Sequence, residues 1–181
     1  KAAWSLPIAD GERMTSRDML SEVEENIRRV HQDMLAGQLA AVRSRMDGLH
    51  LPAKAPAEAI YLVSFYGSML TEREGDYRSA LSEIQRAAEI EERMKLSLYK
   101  GMAQHQLALL LRELGRFRES AQLFDQLRQR PYSEDPCEKA KLFNNQAWST
   151  LLAREAGERF GNPTHLFKKA LKIYATCKTF T

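Results

Sequence analysis

Hydrophobic side chains recur along most of this chain at steps of three and four, and nothing alternates with period two over the length of a strand. Tyr99, Ala103, Leu107, Leu110, Leu111 and Leu114 gather on one helical face before Gly115. Phe117, Ala121, Phe124 and Leu127 do the same after it, until Pro131 stops the helix. The pattern returns around Gly75, with Tyr61, Phe65 and Leu70 before it and Tyr77, Leu81, Ile84 and Ala88 after it. Around Gly37 the two sets are Val23, Ile27, Val30 and Met34, then Val42, Met46 and Leu49. Around Gly157 they are Leu142, Phe143, Trp148, Leu151 and Leu152, then Phe167, Leu171 and Tyr174. Each glycine is expected to end one helix and open the turn into the next, because it reaches left-handed backbone angles without a side-chain clash. The pattern predicts an all-α fold.

The spacing is itself periodic. Gly115-Arg116-Phe117-Arg118-Glu119-Ser120-Ala121 stands 40 residues after Gly75-Asp76-Tyr77-Arg78-Ser79-Ala80-Leu81, and a fainter copy begins 38 residues earlier at Gly37. A fourth, with Phe160-Gly161-Asn162-Pro163 inserted, covers Gly157 to Ala170. Small residues repeat one turn before bulky ones: Ala80 before Ile84, Ser120 before Phe124, Ala170 before Tyr174. Such pairs let the two helices of a hairpin approach closely. A single hairpin cannot bury its own stripe, so neighbours are expected to stack. The predicted units span about 17–52, 55–95, 96–134 and 136–177, with Thr15 or Ser16 capping the first helix and residues 1–16 an extended segment or linker holding Trp4, Pro7 and Ile8.

Composition narrows the classes. The 181 residues are 44% hydrophobic and 28% charged, in the range of folded globular chains, and only 9 Gly and 6 Pro interrupt them. Lys plus Arg at 27 against Asp plus Glu at 24 gives a net charge of +3, too balanced for a dedicated nucleic-acid binder. The charge is unevenly placed: Lys139 to Thr181 holds eight basic residues against Glu155 and Glu158, net +6, so residues 1–138 carry −3. An acidic partner could meet that end, although a solvated terminal face explains it more simply. No apolar run nears the roughly 18 residues that span a bilayer. Two cysteines exclude a disulfide framework and suit a reducing compartment, so a cytoplasmic location is expected, with Cys137 and Cys177 as free thiols. A start at Lys1 and a stop just after a helical stretch suggest a piece of a longer protein.

From Gln104 through Pro131 the sequence resembles a tetratricopeptide repeat. Gln104, Leu107, Ala108, Leu111, Ser120, Phe124 and Pro131 occupy the places of the family pattern aromatic-x2-Leu-Gly-x2-Tyr, Ala-x3-Phe, Pro, with Gln104 and Ser120 as departures. The 38–40 residue spacing is longer than the usual ~34, which points to a long-repeat subtype. The resemblance covers residues 17–177 and implies a right-handed α-solenoid of about four antiparallel hairpins, a scaffold for protein–protein interaction. A weaker resemblance, carried by Asn144-Asn145-Gln146-Ala147-Trp148, Leu151 to Gly157, Asn162-Pro163 and Ala170-Leu171, is to bacterial proteins in which such an array precedes a caspase-like CHAT protease domain. It implies the alternative that the chain is the regulatory or sensor region of a larger enzyme.

In stacks of this kind the first helix of each pair lines the concave surface. The exposed face is expected to carry Tyr61, Ser64, Ser68 and Thr71 in the second unit, and Met102, His105, Leu109 and Arg112 in the third. In the fourth it is expected to carry Lys141, Asn144, Asn145 and Trp148. That lining mixes apolar anchors with amides and cations suited to a peptide or protein segment. The simpler alternative makes Met102, Leu109 and Trp148 inter-repeat core. Enzymatic chemistry finds no motif. His31, His50, His105 and His165 lack metal-ligand spacing, the cysteines are not in Cys-x2-Cys form, and the glycines are isolated. A Cys137–His105 or Cys137–His165 nucleophile pair is the weakest of the readings. The clusters Glu22-Val23-Glu24-Glu25 and Glu89-Ile90-Glu91-Glu92 read as wet helix faces. The expected profile is a non-enzymatic binding module with no cofactor or metal and no membrane partner. Exposed repeat ends offer surfaces for self-association.

Overall fold

The computed structural model describes residues 15–96, 99–130 and 133–177. Among these residues there are eight α-helices and no strand: α1 (Ser16–Leu35), α2 (Leu39–Gly48), α3 (Ala57–Arg73), α4 (Tyr77–Met94), α5 (Met102–Glu113), α6 (Phe117–Gln129), α7 (Pro136–Glu155) and α8 (Pro163–Tyr174). The all-α expectation holds. The expected segment around Trp4, Pro7 and Ile8, and the helix stop at Pro131, lie outside the described residues. The chain divides into two compact units, residues 1–96 with α1–α4 and residues 97–181 with α5–α8.

Local chemistry sets the helix ends. Thr15 caps α1: its hydroxyl accepts from Asp18 N at 3.1 Å, and the Asp18 carboxylate reaches back to Thr15 N, the reciprocal arrangement of a capping box. Asp76, Asp135 and Asn162 each accept a backbone N–H at the start of α4, α7 and α8. Pro136 and Pro163 occupy first-turn positions, where the missing N–H is not needed.

Four turns share one hydrogen-bond pattern. Gly37, Gly75, Gly115 and Gly157 all have φ between +71° and +86°. In each turn the glycine N–H bonds the carbonyl three residues back and the next N–H bonds one five back, as in Arg116 N to Leu111 O and Asp76 N to Thr71 O, both 2.9 Å. This is the Schellman ending, and a side chain at the left-handed position would be strained. Counting from the glycine puts the same positions inside each time. Seven residues before it stand Val30, Ser68, Ala108 and Thr150, and five after it Val42, Ala80 and Ser120, all buried. Only the last hairpin departs, its second helix starting at Pro163 after residues 158–162, and Ala170 takes the buried small position.

In the first unit α1 packs on α2 and α3, and α3 on α4. Val30, Met34, Val42 and Leu70 form a core flanked by Leu39, Met46, Tyr66 and Met69. Arg73 donates to Met34 O at 2.9 Å, satisfying a carbonyl at the C-terminal end of α1. In the second unit α6 lies between α5 and α7, and α8 packs on α7. Its core is Ala108, Phe124, Leu127 and Leu142, with Leu109 and Leu123 against it.

The expectation of two free thiols is overturned. Cys137 and Cys177 form a disulfide, their Cα atoms 5.7 Å apart. The antiparallel α7–α8 hairpin returns the chain to its starting level, which brings the first turn of α7 beside Cys177, three residues past the end of α8. Closing a loop of this length removes about 4 kcal/mol of unfolded-chain entropy in the simplest treatment. Paired cysteines are commoner in oxidising compartments, so the compartment argument drawn from their scarcity no longer stands.

Candidate functional site

The twelve candidate positions divide sharply. Those on α3 are sealed: Tyr61 is 1% exposed, Ser68 is fully buried, and Ser64 and Thr71 are buried. They cannot line a binding face. The register explains this, because Ser68 sits seven residues before Gly75, on the side of α3 that packs inward. Tyr61 stacks on Phe65 with ring centroids 5.8 Å apart, and the Thr71 hydroxyl bonds back to Gly67 O at 3.0 Å.

On α5 and α7 part of the predicted row stays open. Met102 is 41% exposed, while Leu109 is half-buried against the Phe124 core, as the simpler alternative for it held. His105 is half-buried, its ring edge-on to Phe124 at 5.4 Å, and its Nε2 lies 3.1 Å from Asn145 Nδ2 across the α5–α7 interface. With Nε2 as acceptor and the amide as donor, the imidazole is neutral. Burial is the main influence pushing its pKa down; Glu138 pulls the other way, and Lys141 and Arg112 add to the depression. Arg112 is largely covered and reaches Glu113 at 3.7 Å. Lys141 is exposed and pairs with Glu138 at 2.6 Å, and Asn144 is half-buried. Trp148, 47% exposed, turns toward α8, edge-on to Phe167 at 5.4 Å. The open face therefore joins Met102, His105, Lys141 and Asn145, with Glu138 and Arg112 supplying charge around the imidazole.

Beneath that face lie polar contacts outside the predicted set. Ser120 Oγ donates to Ala108 O at 2.6 Å and lies 2.8 Å from Ser149 Oγ, which in turn bonds Asn145 O at 3.1 Å. Gln146 donates to Asp125 Oδ1 at 3.0 Å and accepts from Arg128 Nε at 3.1 Å. Burial works against the Asp125 charge, but the bonds from Arg128, Gln146 and Gln129 outweigh it and hold the carboxyl below the usual range. These residues fix α7 against α6 and so set the position of Asn145. The one available signal was the place of Gln146 and Ser149 at helical steps with Leu142 and Ala153 on the inner face of α7.

On the opposite side of α7 a cleft of about 250 Å³ is lined by Arg128, Lys139, Leu142, Phe143 and Ile173. Two cations lie over the Phe143 ring, Arg128 at 5.1 Å and Lys169 at 5.7 Å from its centroid. Arg128 and Lys139 are already paired, with Asp125 at 2.5 Å and Glu134 at 2.6 Å. The proposed nucleophile pair also dissolves, since Cys137 is bonded to Cys177. No group of three or more metal-ligating side chains assembles among the described residues. No described helix is long and apolar enough to cross a membrane.

No family model, curated protein or solved structure matches this chain. The functional reading therefore rests on its own residues.

Proposed function

We propose that this protein is a helical-repeat interaction module of the tetratricopeptide type, which holds a protein or peptide segment on the α5–α7 face. The observation that carries the reading is the His105–Asn145 bridge between the first helices of consecutive hairpins, with Met102 and Lys141 open one turn before it on each helix. A thioether and an aliphatic stem offer apolar contact at low cost in shape, and the lysine and amide offer hydrogen bonds to a carboxylate or backbone carbonyl. The fourfold recurrence of the glycine turn supports a repeat array, in which each hairpin presents its first helix beside that of the next. Because His105 and Asn145 fill each other's needs, they shape the floor of the face, and Met102 and Lys141 make the contacts.

The test is affinity capture from source-cell lysate with the full chain beside a Met102→Glu/Lys141→Glu variant. A partner recovered by the original chain and lost from the variant, with helicity by circular dichroism unchanged, supports the assignment. Equal recovery by both overturns it.

A further inference from the structure

A second surface lies on the α7–α8 hairpin of the second unit, and it differs in kind from the α5–α7 face. The helices α6 and α8 hold matching places in consecutive hairpins, aligned by their buried small residues Ser120 and Ala170. From that alignment Ala121, Phe124 and Leu127 of α6 correspond to Leu171, Tyr174 and Cys177. The three on α6, which sits between α5 and α7, are buried; their counterparts, on a helix packed against α7, are not. Leu171 is 68% exposed, and only Pro163 and Ala170 of α8 are buried. One turn before Leu171 stands Phe167, and against Phe167 the half-exposed Trp148, so a leucine, a phenylalanine and a tryptophan make one continuous apolar strip.

The strip has a charged margin. Lys168 and Lys172 follow Phe167 and Leu171 by one residue each and form a parallel row one turn apart; neither is ion-paired with a described residue. The corresponding α6 residues are Arg118 and Gln122, and α8 has no acidic side chain. An apolar stripe beside two cations one turn apart, neither paired with a described residue, is complementary to a helix with the opposite arrangement.

We infer that the exposed side of the α7–α8 hairpin is the docking site for an acidic amphipathic helix of a partner protein. Its apolar stripe covers Leu171, Phe167 and Trp148 much as α7 covers α6, and its flanking carboxylates meet Lys168 and Lys172.

The full chain should be titrated against a labelled peptide of about five helical turns, with leucine at i, i+3, i+4 and i+7 and glutamate on the flanks, read by fluorescence anisotropy. The same peptide with lysine for glutamate serves as control. The acidic peptide is expected to bind at least about tenfold more tightly than the lysine version. Leu171→Asp should abolish binding of the acidic peptide. Lys168→Glu/Lys172→Glu should exchange the preference in favour of the lysine peptide, a gain that a misfolded variant cannot show. Equal binding of the two peptides, or binding unchanged by Leu171→Asp, overturns the inference. So does assembly of the chain with itself that Leu171→Asp abolishes while neither peptide binds, since the occupant is then a second copy. Adsorption to phosphatidylglycerol vesicles without peptide binding likewise overturns it in favour of a lipid surface. Met102→Glu/Lys141→Glu should leave the acidic peptide's affinity unchanged, which separates this site from the α5–α7 face.

Discussion

The α3–α4 hairpin and the α5–α7 region are built on the same turn and register, yet they connect their buried polar groups to different extents. In the first, the links across helices are few: the Thr71 hydroxyl donates to Gly67 O of its own helix and lies near Glu83 of α4, and the Ser68 hydroxyl is buried with no hydrogen-bond partner. In the second, Ser120, Ser149, Asn145, Gln146 and Asp125 connect three helices, and the bridge reaches the open face at His105. The hairpin register thus decides how deep a position lies, and side-chain chemistry decides whether that depth closes a helix face or positions a functional one.

The comparison breaks most visibly at the core. Phe124→Ala, which empties the centre of the second unit, is expected to cost about 3–5 kcal/mol in urea unfolding. Unfolding of α3–α4 followed by hydrogen exchange should be left in place. Cys177→Ser should cost up to about 4 kcal/mol, with faster amide exchange concentrated in α7 and α8. Exchange that rises equally in α3 would show the two units to be one cooperative block. Next come the shared turns. Gly75→Ala and Gly115→Ala force alanine into left-handed backbone, and each is expected to cost about 1–2 kcal/mol by the same measurement. Markedly unequal costs would mean that the matching turns are not energetically equivalent.

Two serines sharpen the contrast further. Ser68→Ala removes a buried hydroxyl with no partner and supplies the residue found at the matching position of α5, Ala108, so a gain of about 1 kcal/mol is expected. Ser120→Ala removes a buried hydroxyl that bonds Ala108 O and lies against Ser149 Oγ, and should destabilise by about 1–2 kcal/mol. Opposite signs from one substitution type would establish the difference between the regions directly.

The smallest effects are the pH slopes, and they also have opposite signs. Burial pushes the Glu83 carboxyl on α4 above its usual range, against the Arg43 charge and a Thr71 hydrogen bond. The folded chain then holds that proton more tightly than the unfolded one, so its stabilisation is present at low pH and lost as pH climbs through the raised value. Glu83→Gln should remove that loss, which denaturant midpoints from acid to neutral pH would reveal. His105 is depressed, so its contribution is complete above about pH 6.5 and is lost as pH falls through the lowered value. His105→Gln should flatten the acid limb of the curve.

Much of this architecture was legible because its determinants are local. A glycine between two apolar stripes has few structural uses, and all four sit in left-handed turns. A cap at Thr15 or Ser16 was readable for the same reason, and Thr15 takes that place with Asp18 completing the box. The candidate face was only half legible. Helical steps give the angle of a side chain about its axis but not which sector a neighbouring helix covers, so Tyr61, Ser64 and Ser68 were placed outside when they lie within. His105 and Asn145 belong to the candidate face, yet their mutual bond depends on how two helices 40 residues apart align. The disulfide had one overlooked signal: Cys137 and Cys177 are also separated by 40 residues, the length of a hairpin out and back.

That bond has a consequence for how the chain comes apart. The disulfide closes α7, residues 158–162 and α8 into a covalent ring, and Arg159 stands exposed in the connecting segment. A single tryptic cut there opens the ring without releasing a fragment. The nicked molecule keeps every atom and gains one water, and its two pieces separate only after the disulfide is reduced to two thiols.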